Sequence, residues 1–186
     1  MSKPEGITHS LREGRWGLAR ARYVARKVEA DRRAVRALVE TLFGADAEAR
    51  KRAADVARRI TERDAGPMER YADELAGLLA ELPSEESRTR WHLGLVVARV
   101  AHTREQRLRA GRLMELLMED ESNVARCSAV EGIGLLAMGE GSLREVAEEM
   151  IAKALQEGTP AMKCRAREAK RRMEKADRKQ PKSNHE

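Results

Sequence analysis

From Asp46 onward the chain writes one pattern four times: a polar cap, an Arg-rich turn, and an apolar stripe that closes at Ile60, Val100, Leu136 or Met173. Those end points lie 40, 36 and 37 residues apart. Helical patterns that recur at such a period are the mark of stacked helix pairs, because no pair can bury its apolar face without a neighbour. The first member of each pair is plainly amphipathic. Val35, Leu38, Val39 and Leu42 form one face, and Leu75, Leu78, Leu79 and Leu82 form the next, at the i, i+3, i+4, i+7 spacing of a helix with one buried side. The second members differ. In residues 85–102, Leu93, Val96, Val97 and Val100 make one stripe while Trp91, Leu95 and Ala98 make another on nearly the opposite side. A helix that is apolar on two sides lies between neighbours. The pattern therefore predicts an all-α solenoid whose second helices form its inner layer.

Capping chemistry divides this pattern into elements, because a hydroxyl or carboxylate side chain can accept the orphan amides of a first helical turn. Ser10 with Glu13, Thr103 with Gln106 and Ser142 with Glu145 read as capping boxes. Asp31, Asp46, Ser84 and Ser122 read as single caps, and Pro67 and Pro160 as first-turn prolines. About nine helices follow, over 10–29, 32–43, 46–63, 67–81, 85–102, 104–119, 122–138, 142–156 and 160–176. They amount to four helix pairs plus an N-terminal helix, joined by linkers short enough to make each pair a hairpin. Residues 10–177 read as a single domain, 1–9 as a flexible N-terminus and 178–186 as a disordered polar tail. Gly94, Gly132 and Gly134 fall inside second helices, where each costs about 1 kcal/mol relative to Ala. Close helix approach is the expected reason.

Composition narrows the function classes. Hydrophobic residues make up 41% of the chain but aromatics only 3%, so the core must come from Ala, Leu, Val and Met. The apolar runs are far shorter than the roughly 20 residues of a membrane span. No secretory signal is visible, which makes the cytoplasm the expected compartment. Cys127 and Cys164 are expected to be free thiols, since equivalent positions of adjacent repeats lie about 8–10 Å apart. The net charge of +6 is unevenly spread. Residues 1–45 carry ten Lys or Arg against five acids and residues 159–186 ten against four, leaving 17 against 22 between them. Basic ends could dock on a polyanion, or could simply be the solvated faces of terminal repeats.

Aligning the second helices by their stripes predicts which side chains line the groove. In residues 85–102 the corner left free by both stripes holds Arg88, His92 and Arg99. The repeat offsets then place Arg52, Ser128 and Arg165 in the His92 row, Asp55, Leu95, Glu131 and Glu168 in a second row, and Arg59, Leu135 and Arg172 in the Arg99 row. The expected surface has basic rows flanking an acidic one. Arg88, His92 and Arg99 stand out because Leu95 offers them no balancing carboxylate. An imidazole among arginines would have a lowered pKa; equally, His92 reads as a polar inner-layer residue bonded to a neighbouring helix.

No chemistry of a reactive centre is legible. The four histidines show no metal-ligand spacing, no CxxC pair occurs, and no phosphate-cradling glycine loop or nucleophile triad is suggested. Neither a cofactor nor a metal is expected. The best reading is a non-catalytic scaffold that binds a protein or peptide partner through Arg88, His92, Arg99, Arg52, Arg59, Glu131, Arg165 and Arg172. Nucleic-acid binding through the basic termini is the alternative, although one Phe, two Tyr and two Trp supply few stacking platforms.

The pattern of outer helix, tight turn, and inner helix with an Arg near its start resembles HEAT repeats. More narrowly, Arg90 to Leu93 (RWHL), Met118 to Asp120 (MED) and Gly158 to Lys163 (GTPAMK) are similar to stretches of small bacterial HEAT-repeat proteins of unassigned function. The resemblance covers about residues 32–173, and implies a right-handed α-α superhelix of the HEAT/armadillo type. It also implies that Arg90 pairs with an acid in the adjacent turn. HEAT proteins include adaptors, scaffolds, cofactor-lyase subunits and alkylpurine DNA glycosylases, so a fold likeness transfers no activity. A glycosylase-like reaction would need a carboxylate poised in the groove, for which Glu131 is the central candidate. The departure is the stripe of Ala49, Ala53, Ala57 and Ile60, unusually small for a first inner helix.

Overall fold

A computed structural model describes residues 4–179. Among the described residues there are eleven α-helices, two 3-10 turns and no strand. They are α1 (Pro4–Arg12), α2 (Leu18–Glu29), α3 (Arg32–Leu42), α4 (Ala47–Arg63), α5 (Gly66–Glu69), α6 (Ala72–Glu81), α7 (Ser87–Val100), α8 (Arg104–Met118), α9 (Asn123–Ala137), α10 (Arg144–Glu157) and α11 (Pro160–Lys179). Single 3-10 turns, Ser84–Glu86 and Gly141–Leu143, lead into α7 and α10.

The expected count of nine rises at two places. Residues 10–29 are not one helix: the chain breaks after Arg12, passes Gly14 at φ 74°, and resumes at Leu18. A left-handed residue ends a helix, and Gly adopts it without a Cβ penalty. The second split lies at Arg70 and Tyr71, between α5 and α6. Residues 4–9, expected to be flexible, are helical, because Ile7 and Leu11 are spaced i, i+4 and both are buried against the core. The expected tail begins two residues inside α11, and residues 180–186 lie outside the described residues.

Thr103 and Gln106 form the expected capping box, and Asp31 and Asp46 accept from Arg33 N and Ala49 N. Ser10 instead donates back to the Gly6 carbonyl, and Ser142 bonds Glu140 within a 3-10 turn, so neither starts a helix. Ser84 and Ser122 make no side-chain cap bond.

Packing follows the pairs. α3 lies on α4, α6 on α7, α8 on α9 and α10 on α11, while the second members pack in series, α4 on α7, α7 on α9 and α9 on α11. The N-terminus adds one more level, with α1 against α3 and α2 against α4. Between its neighbours α9 buries Ala125, Ala129, Val130, Ile133 and Leu136. Each large side chain among these contributes about 1.5–3 kcal/mol of transfer free energy. Neighbouring side chains come close at the inner glycines. A Cβ at Gly134 would stand 2.9 Å from the Ala169 Cβ of α11, and one at Gly94 would stand 2.9 Å from Leu117 and 3.0 Å from the Ser128 hydroxyl.

Candidate functional site

An unbroken series of polar contacts crosses the second helices. It starts at Trp16, whose indole donates to Asp55 Oδ2 of α4 at 3.3 Å. Asp55 is also held by two arginines of its own helix, Arg59 at 2.9 Å and Arg58 at 3.7 Å. The Arg58 carbonyl accepts from Arg99 of α7 at 3.2 Å. Arg99 then reaches Glu131 of α9 at 3.5 Å, and Glu131 meets Arg172 at 3.4 Å and Arg165 at 3.8 Å on α11. One carboxylate thus faces three guanidinium groups. The expected grouping of Arg99, Glu131, Arg165 and Arg172 is present, and the carboxylate that Leu95 does not supply to Arg99 comes from the next helix. Arg88 is exposed, and Leu95 is buried.

Two of the expected lining residues are elsewhere. His92 is only 7% exposed, so it does not line an open groove. Its ring stacks on Trp91 with centroids 4.3 Å apart and planes 27° apart. Burial pushes its pKa down from an ordinary 6.5 to about 4, against the pull of Asp55 and with help from Arg58, Arg59 and Arg88. The imidazole is therefore neutral near pH 7, and its Nδ1 has no partner. Arg52 turns toward the N-terminus. Its Nη1 donates to the carbonyls of Leu11, Arg12, Glu13 and Gly14 at 3.2–3.4 Å, and the guanidinium sits 5.5 Å from the Trp16 ring centroid. Cationic donors suit the negative end of a helix, and Arg20 reinforces the same end through the Ser10 carbonyl.

Stripe alignment also passed over a row of structural arginines. Arg50, Arg90 and Arg126 each stand eight residues after a residue at the end of the preceding helix: Leu42 closing α3, Leu82 just past α6, and Met118 closing α8. Arg50 donates to the Leu42 carbonyl at 3.1 Å and pairs with Glu86. Arg90 donates to the Leu82 carbonyl at 3.1 Å and pairs with Asp120 at 2.8 Å. In both cases the acid comes from the turn entering the following second helix. Arg126 has only Asn123 Oδ1, at 3.1 Å. The recurrence at 40 and 36 residues was a readable signal for this row.

Charge is divided between the layers. The second helices α4, α7, α9 and α11 carry 19 Lys or Arg against 7 Asp or Glu, whereas the first helices α3, α5, α6, α8 and α10 carry 9 against 11. The second-helix layer is therefore +12 and the first-helix layer −2. No group of three or more His, Cys, Asp or Glu able to hold a metal ion occurs among the described residues. None of their helices is long and apolar enough to cross a membrane. Both cysteines are free; burial raises the Cys127 thiol above its ordinary range, outweighing Arg165 and Arg126, so it stays protonated rather than nucleophilic.

No family model matches the chain, and neither a curated protein nor a solved structure matches it.

Proposed function

We propose that the chain is a HEAT-like α-solenoid acting as a non-catalytic interaction scaffold, and that it holds a partner protein on the face of its second helices. The observation that supports this reading is the polar series from Trp16 through Asp55, Arg58, Arg99 and Glu131 to Arg172, which presents charged groups of successive helices on one continuous face. Asp55, Arg58, Arg99 and Glu131 are largely buried along it, whereas Arg165 and Arg172 stay about half exposed at its end, where exchange of a contact for a partner's group costs little. A catalytic reading fits less well. Glu131, the carboxylate on which a glycosylase-like reaction would depend, is taken up by contacts with the guanidiniums of Arg99, Arg165 and Arg172.

A nucleic-acid partner draws on a different observation, the +12 charge of the second-helix layer. Against it, the ring of Trp91 carries the Arg58 guanidinium at 5.9 Å and that of Trp16 carries Arg52, leaving neither as an open platform for a base. Site-specific photo-crosslinking in the native cells tests the proposal. A crosslinker at exposed Arg88 or Arg165 of the second helices should capture one common protein, while one at exposed Arg109 or Glu148 of the first helices should not. Capture from the first-helix positions alone, or of nucleic acid from Arg88 and Arg165, would overturn it.

A further inference from the structure

Resting on the reading that the second-helix face is the binding face, we infer that its partner is an extended acidic peptide segment whose carboxylates displace Glu131 from Arg99, Arg165 and Arg172. The first ground is an imbalance of donors. Three guanidiniums offer about fifteen N–H donors, while Glu131 accepts about four, and beside it Glu168 takes one bond from Arg165 at 2.9 Å and the Arg58 carbonyl one from Arg99 at 3.2 Å. The second is looseness. The three contacts to Glu131 run from 3.4 to 3.8 Å, longer than the ~2.7–2.9 Å of a tight charge-assisted bond. Arg144 and Asp177, on neighbouring helices of the same protein, meet twice at 2.7–2.8 Å. The third is access: the side chains of Arg165 and Arg172 remain 45% and 47% exposed while contacting Glu131. Glu131 acts as a built-in placeholder for a ligand's carboxylate.

Spacing agrees with a peptide. Arg165 and Arg172 are seven residues apart on α11, about 10 Å along its axis. An extended chain rises about 3.3 Å per residue, so acids at every third position fall near both arginines. A peptide is favoured over a nucleic acid because Asp55, Glu131 and Glu168 remain within the face. A continuous phosphate backbone meets them all, whereas a peptide can place neutral residues opposite them.

The test is a fluorescence anisotropy titration of the full chain, at low and at physiological salt, with three labelled probes. One is an extended peptide with Glu at every third position, the second is its Gln counterpart, and the third is a single-stranded oligonucleotide of the first peptide's charge. The acidic peptide should bind at least about tenfold more tightly than either other probe, a difference of about 1.4 kcal/mol. Arg165→Gln with Arg172→Gln, both exposed, should lose about that factor with no change in thermal unfolding. Glu131→Gln keeps an acceptor for Arg99 and should strengthen binding severalfold. An equal or tighter oligonucleotide, an indifferent double variant, or weaker binding by Glu131→Gln would each overturn the inference. Crosslinking through Arg88 and Arg165 without any acidic-peptide binding would leave the binding face standing and remove only the identity of its occupant.

Discussion

Replacing Arg90 by Met should destabilise the protein far more than the same replacement at Arg126, although the two arginines hold corresponding positions in successive pairs. Arg90 donates to the Leu82 carbonyl and forms an ion pair with Asp120, whose side chain is only 2% exposed. Asp120 keeps one other bond, from Ser122 N at 2.7 Å. Removing the guanidinium therefore strands a buried carboxylate, a perturbation of about 3–5 kcal/mol. At Arg126 the loss is one contact with exposed Asn123, worth about 1 kcal/mol or less. For a chain of this length the expected fall in Tm is roughly 2–4 °C per kcal/mol. The difference is thus readable both by urea unfolding followed by circular dichroism and by thermal melts. Arg90→Met with Asp120→Leu should recover much of the loss, because removing both partners leaves no unpaired charge. Equal destabilisation at Arg90 and Arg126, or a double variant less stable than Arg90→Met alone, would refute the account of the row.

Three further outcomes follow from the geometry. His92 has a folded-state pKa of about 4 against an ordinary 6.5, so below pH 6.5 the unfolded chain binds the extra proton; stability from this group is complete above pH 6.5 and falls by about 3 kcal/mol as pH drops to 4. His92→Leu should flatten that part of the pH profile in urea titrations, and an unchanged profile would contradict the burial argument. Gly134→Ala should cost about 1–3 kcal/mol despite the better helix former, because the new Cβ would press on Ala169. Gly77→Ala in α6, where nothing lies within 4 Å, should instead stabilise by up to about 1 kcal/mol, and the reverse order in thermal melts would exclude close α9–α11 contact as the reason for Gly134. Arg52→Ala removes the donor shared by four carbonyls at the end of α1; limited proteolysis across residues 13–17 should accelerate about tenfold, and unchanged protection would show that Arg52 does not pin α1.

The helix pairs were legible because burial of two stripes repeats with the chain: the stripes closing at Ile60, Val100, Leu136 and Met173 are the ones buried in α4, α7, α9 and α11. The N-terminal level was not. Gly6 argues locally against a helix, and Ile7 with Leu11 is too short a stripe to be read until α3 is seen to cover it. Propensity is local, and what makes α1 helical is a contact made more than twenty residues away.

The polar face of the second helices was partly legible for a related reason. Stripe alignment finds which side of a helix is left over once both neighbours are packed, and so it brings Arg99, Glu131, Arg165 and Arg172 to one place. It cannot see how far a long side chain reaches or what lies across it. Arg52 leaves its row because the carbonyls ending α1 are within its span, and those carbonyls exist only where Gly14 breaks the helix. His92 is lost to the interior because the Trp91 ring lies against it. Both departures involve the chain's only two tryptophans, each half-buried and each beneath an arginine. At the level of Asp55 the arginines are thus committed to indole rings, a helix end and a buried neighbour. At the level of Glu131 no aromatic ring intervenes, and Arg165 and Arg172 stay half in solvent. The same basic rows are therefore packed into the protein at one end of the face and open to solvent at the other, which is why the proposed exchange is assigned to Glu131 rather than to His92.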